Sequence, residues 1–186
     1  MRTEEPIDFV RDAIKYKRSG KVLDLGAGQG RNSLFFARTG FRVTAVDSSP
    51  VAIGKITKQA RRENLFINAR VEDVRIFDFD SFFDVILMTF VLHHLLRSEG
   101  VLLIEKIKDK TSHLGLNVIA AFTKNGDFFK GNQSADKFYL EEGELKKIYG
   151  DWRIIKWSEK RTRALQKTSE KKAMFNITSF LLAQKP

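Results

Sequence analysis

Apolar residues follow two rhythms along this chain. Short runs or strict alternation predict strands at 21–25, 41–46, about 66–71, Phe83 to Met88, Leu116 to Phe122, Trp152 to Trp157 and about Met174 to Gln184. Helical spacing places Ile7, Val10 and Ile14 on a helix over 3–18. It does the same for Leu34 to Ala37 over 31–39, for Ile53, Ile56 and Ala60 after Pro50, for Leu102, Leu103 and Ile107 over 98–110, and for Leu145, Ile148 and Tyr149 over 140–149. Gly20, Gly40 and Gly150 stop three of these helices, while Ser49 and Pro50 read as N-cap and first helical residue. Strands alternating with helices predict an α/β fold whose sheet is buried on both faces. Two stretches lack either rhythm. Residues 123–139 are polar with two glycines and aromatic islands, and read as a long functional loop or lid. Residues 158–172 are basic and read as the connection between the last two strands.

The chemistry concentrates where the first strand meets its helix. Lys21 to Asn32, KVLDLGAGQGRN, carries Gly26, Gly28 and Gly30 directly after an apolar strand. Such a turn lets a ligand lie on the backbone, and the helix start offers free N–H groups to an anion. Dinucleotide enzymes space the glycines G-x-G-x-x-G, whereas here the pattern is G-x-G-x-G with Arg31 following. That spacing disfavours a pyrophosphate grip and hence an NAD-dependent oxidoreductase. The second strand ends in Asp47, placed to accept from both ribose hydroxyls. Glu72-Asp73-Val74 ends the third strand, where an acid can accept from an adenine amino group and Val74 can pack on the base. Thr89, Phe90 and Val91 sit at the carboxyl end of the fourth, the ligand-binding edge of open α/β sheets. His93-His94 is expected to open a helical region rather than to converge with other polar groups.

Composition narrows the classes. A chain of 186 residues with 42% hydrophobic content can bury a sizeable core, and it reads as one domain over 1–186. There is no cysteine, which removes disulfides, thiolate metal sites and cysteine nucleophiles, and three scattered histidines argue against a metal site. No apolar run is long enough to span a membrane, and MRTEEPIDFV lacks an apolar signal region, so the expectation is a cytoplasmic protein without a membrane partner. Lys and Arg outnumber Asp and Glu by 33 to 23, a net charge of +10. Such a balance suits a nucleic acid or an anionic substrate.

The D-x-G-x-G-x-G motif, "LDLGAGQGRNSLFFARTGFRVTAVD", "EDV", "NVIAAF", "EEGELKKIYGDW" and "ALQKTSEKKAMFNITSFLLAQK" together resemble the tellurite-resistance methyltransferases of the TehB type, from about Lys21 to Lys185. "GRNSL" and "GEL" ahead of Y-x-x-W are the more specific parts. The resemblance implies a Rossmann-like class I fold, a seven-stranded sheet of order 3-2-1-4-5-7-6 with strand 7 antiparallel and helices on both faces. It implies S-adenosylmethionine (SAM) as cofactor, S-adenosylhomocysteine (SAH) as product, and soft oxyanions such as tellurite or selenite as acceptors. Carried over by position, Gly26, Ala27, Gly28 and Arg31 form the cofactor loop, with Asp24, Asn32 and Ser48 beside the same site. Asp47 takes the ribose, Asp73 and Val74 the adenine, and Thr89 lines the cofactor near its methyl group. Where the family shows a Glu-Leu-His-Arg/Lys-Thr tail motif, this chain has Ala164-Leu165-Gln166-Lys167-Thr168. Gln166 and Lys167 are the acceptor-side candidates, and no catalytic acid or base is assigned.

The expected function is methyl transfer to a small acceptor, a soft oxyanion or a thiol. An RNA methyltransferase acting on ribose or a ring nitrogen is the less favoured alternative. The chain lacks a cysteine for attack on pyrimidine C6, and Thr89-Phe90-Val91-Leu92 stands where amino-group enzymes carry Asn/Asp-Pro-Pro-aromatic. A SAM-binding protein without catalysis is the other alternative.

Overall fold

The computed structural model describes residues 5–131, 136–167 and 173–186, the side chains of 164–167 excepted. Seven strands form one sheet: β1 (Lys21–Leu25), β2 (Arg42–Asp47), β3 (Ile67–Val71), β4 (Phe83–Thr89), β5 (Thr111–Phe122), β6 (Arg153–Lys167) and β7 (Ala173–Gln184). Their order is β3-β2-β1-β4-β5-β7-β6. The first five pair in parallel, and β7 runs antiparallel to both β5 and β6. The expected topology therefore stands.

Alternation on the central strands divides the core. Leu23, Leu25, Ile86 and Met88 pack on one face with α4 (Arg97–Asp109) and with Leu145 of α6 (Glu144–Ile148). Val22, Val85, Leu87 and Val118 pack on the other with α1 (Asp8–Ala13) and α2 (Arg31–Arg38). A smaller cluster seats Ile53 and Ile56 of α3 (Pro50–Arg62) against Ala27 and Ala45. The chain leaves β1 for β2 on one side and returns to β4 on the other, which opens a crevice at the carboxyl ends of β1 and β4.

Several boundaries differ from the sequence reading. The expected helix over 3–18 is regular only over Asp8–Ala13, with turns after it, and residues 1–4 lie outside the described residues. The helix over 140–149 shortens to Glu144–Ile148. β5 begins at Thr111, because a register shift after Phe83 lets it start ahead of its apolar run. The largest difference is β6. Much of the basic stretch expected as a connection is strand, paired with β7 from Arg153 opposite Gln184 to Lys167 opposite Ala173. This strand closes one edge of the sheet, where charged side chains are tolerated and block further pairing, so its polarity hid it.

The 123–139 stretch is not a loose cover at its ends. Thr123 bridges to Leu140, and Phe138, Tyr139 and Leu140 are buried in or beside the core. Between them, α5 (Asp127–Gly131) is tied to β7: Asn176 Oδ1 accepts from the Phe128 N–H at 2.9 Å, and Asp127 accepts from the Phe175 N–H at 2.7 Å.

Candidate functional site

The turn after β1 is built on backbone that L side chains resist. Gly26 and Gly28 have φ of +66° and +55°. A Cβ on Gly26 would sit 2.4 Å from Val91, whereas one on Gly28 would meet nothing within 4 Å, because it would project into the crevice. Asp47 ties this turn to the next βα unit. One of its oxygens accepts from the Gly28 N–H at 2.8 Å and the other from the Ser49 N–H at 2.9 Å. Ser49 then caps α3 by accepting from Ala52 N–H at 3.2 Å.

Behind the turn lie buried polar groups with capacity to spare. Asp24 accepts from the Ser33 hydroxyl at 2.5 Å, while its other oxygen is buried without a partner. Burial pushes the Asp24 carboxyl up to about 6, against the hydrogen bond from Ser33 and the charge of Arg31. Asn32 donates to the Thr89 hydroxyl at 3.1 Å, and its own Oδ1 is buried and unpartnered. An orphaned acceptor costs about 1–3 kcal/mol, which a ligand donor would recover.

Asn32 and Thr89 border a cleft of about 1160 Å³. Gly26, Ala27, Gly28, Arg31, Asn32, Asp47 and Thr89 line it together, so the structure gathers those candidates. Asp24, Ser48, Asp73 and Val74 do not line it. Ser48 is exposed and Val74 packs against the core. Asp73 accepts from both the backbone N–H and the guanidinium of Arg75, which holds its carboxyl below the ordinary range. The side chains of Gln166 and Lys167 lie outside the described residues.

The far end of the cleft was largely missed in sequence. Phe90 stands at φ +61°, a left-handed conformation unusual for a bulky residue. Its N–H donates to Ala120 O at 2.6 Å and its ring meets Phe122 at 5.2 Å. Phe122 also contacts His93 at 4.8 Å and Phe128 at 5.1 Å. His93 lies on a short 3-10 turn, Leu92–His94, that precedes α4, and it lines the cleft among aromatic rings rather than polar partners. Burial, with the neighbouring His94, pulls the His93 imidazole down to about 4, and its Nδ1 has no partner. Thr162, Arg163, Asn176 and Phe180 of the last two strands complete this wall. These residues come from five separate segments, so no local motif marks them. The local signals were Phe90 at a strand's carboxyl end and Phe128 within the 123–139 stretch read as a functional loop.

The sheet order, the glycine turn and the strand-end acid agree with one family model, described as tellurite resistance protein TehB, which matches residues 4–180. The chain belongs to the TehB family. It has the fold of class I SAM-dependent methyltransferases. Among curated TehB relatives, the probable S-adenosyl-L-methionine-dependent methyltransferase TehB of Haemophilus influenzae (Rd) is 34% identical over 161 residues, covering 87% of this chain and 55% of that protein. A protein named hemagglutinin 1, from Eikenella corrodens, is 31% identical over 150 residues, covering 81% of this chain and 49% of its own length. The crystal structure of H. influenzae TehB superposes with a TM-score of 0.87 at 28% identity, covering 97% of this chain and 63% of that one. The chain thus spans about half the length of the curated relatives it matches.

Proposed function

We propose that this chain is a SAM-dependent methyltransferase, working as one domain on a small acceptor. The observation that carries the reading is the Gly28–Asp47–Ser49 clasp at the sheet's switch point, opening on a cleft with an orphaned Asn32 acceptor. Asp47 retains lone pairs for ribose hydroxyls beyond the two N–H groups it already accepts. The open side of Gly28 leaves room for a ligand against the backbone. Arg31 and the free Oδ1 of Asn32 suit the carboxylate and ammonium of an amino-acid end. When bound, SAM supplies an activated methyl group on a sulfonium.

The protein's part is mainly to position the two reactants and to exclude water. A soft nucleophile such as a thiolate, tellurite or selenite needs no strong base. That agrees with a cleft whose two imidazoles, His93 and His94, are both made weaker bases by burial. The relatives' description as probable SAM-dependent methyltransferases and the family's tellurite-resistance label support this reading. Among the described residues no helix is long and apolar enough to cross a membrane. We place the activity in the cytoplasm.

The test is transfer of labelled methyl from SAM to a panel of tellurite, selenite, thiols and total RNA. Labelling of a small acceptor is the expected result. Labelling of RNA alone, with binding that weakens steeply in salt, would favour the nucleic-acid reading. No transfer alongside firm SAM binding would favour a binding protein without catalysis.

A further inference from the structure

We propose that the far end of the cleft is a pocket for an aromatic thiol or phenol, with Asn176 Nδ2 and His93 Nδ1 as its two recognition atoms. The inference narrows the acceptor of the methyltransferase reading and rests on it for the transfer step. Asn176 is 1% exposed, lines the cleft, and has a buried Nδ2 with no partner among the described residues. Its amide orientation is fixed: Oδ1 must be the acceptor, because the Phe128 N–H donates to it at 2.9 Å. Nδ2 is therefore a donor held without an acceptor beside the cleft, a state that a ligand oxygen or sulfur relieves. The second orphan, His93 Nδ1, belongs to a ring tilted against Phe122 at 4.8 Å.

The walls choose the body of the ligand. Phe90, Phe122, Phe128 and Phe180 line this end, where the Phe122 ring meets Phe90 at 5.2 Å and Phe128 at 5.1 Å. Phenyl faces favour a planar ring over a bare oxyanion that would surrender its hydration, while Arg163 of the same wall suits an anionic sulfur or oxygen carried on that ring. The strained backbone at Phe90 is held by the bond to Ala120, which keeps that residue at the cleft. In the step itself the acceptor's sulfur or oxygen bonds to the methyl carbon. The acceptor would enter as its thiolate or phenolate, its proton already lost to solvent, and the sulfonium C–S bond would break with its electron pair staying on the departing sulfur.

The experiment is calorimetric titration of catechol and thiophenol into the protein, free and saturated with SAH, with cyclohexanol and selenite as comparisons. Expected is binding of both arenes, at least tenfold tighter than cyclohexanol or selenite. Asn176→Asp keeps the acceptor for Phe128 but removes the donor, and should weaken catechol at least tenfold with SAH affinity unchanged. Phe128→Leu, which leaves every hydrogen bond of the pocket in place, should weaken catechol and spare selenite. Arene binding that is absent, unchanged in both variants, or weaker than selenite binding would overturn the proposal. Catechol binding without SAH binding would instead remove the cofactor reading and leave the pocket standing.

Discussion

The two ends of the cleft are built differently. The cofactor end comes from one continuous stretch, Asp24 to Ser49, joined by Thr89. Its donors and acceptors are tied to each other: Asp47 to Gly28 and Ser49, Asn32 to Thr89, Asp24 to Ser33. The far end draws Phe90, His93, Phe122, Phe128 and Asn176 from scattered positions, and ring contacts do most of the joining. Hydrogen-bonded turns constrain residue type and spacing tightly, whereas aromatic walls accept many arrangements. A cleft of this design holds one ligand in a fixed pose and leaves the other open to change.

The largest effect should come from filling the crevice at Gly28. Gly28→Val places a side chain where a Cβ meets nothing within 4 Å, so SAH affinity should fall by at least about 100-fold. The fold should lose only about 1–2 kcal/mol, the strain of a left-handed non-glycine residue. Calorimetry and thermal melts check both halves, and a comparable loss at the far end would dissolve the contrast.

Asp24 sharpens it from the other side. Its folded carboxyl lies at about 6, above the unfolded value of about 3.8, so at neutral pH the buried charge works against folding. Asp24→Asn keeps an acceptor for Ser33 and should raise stability above pH 6 by about 1–3 kcal/mol, a gain that fades as the pH falls towards 4. Because Asp24 does not line the cleft, SAH affinity should drop by less than about tenfold. Denaturant melts at pH 8 and pH 4 read the first effect.

The smallest effect concerns His93. Its folded value of about 4 lies below the unfolded value of about 6.5, so the unfolded chain takes up the proton first. Stability should decline as the pH falls from about 6.5 to about 4. His93→Phe keeps the ring contact and should flatten that window relative to wild type. An identical decline in both proteins would contradict a buried, neutral His93.

Legibility in sequence followed the same division. The glycine turn, Asp47, the central strands and their helices were readable because period and motif are local there. The first part of β6, expected over Trp152 to Trp157, was readable too, but its continuation through Ser158 to Arg163 was not, because that edge strand has no apolar rhythm to show. The strand stops at Val71, two residues short of Asp73, and Arg75 takes the Asp73 carboxylate. No spacing rule anticipates such a pairing. His93 was set apart because its partners, Phe122 and Tyr139, are distant in the chain and close only in the fold.

The central claim is that the Gly28–Asp47 clasp holds the cofactor. Its most direct measurement is calorimetric titration of SAH into wild type and Asp47→Ala, with NAD as competitor. The account predicts micromolar binding to wild type, weaker in the variant by about 1–3 kcal/mol, since ribose hydroxyls and two N–H groups lose their charged acceptor. Unchanged affinity in Asp47→Ala, or tighter binding of NAD than of SAH, would contradict it.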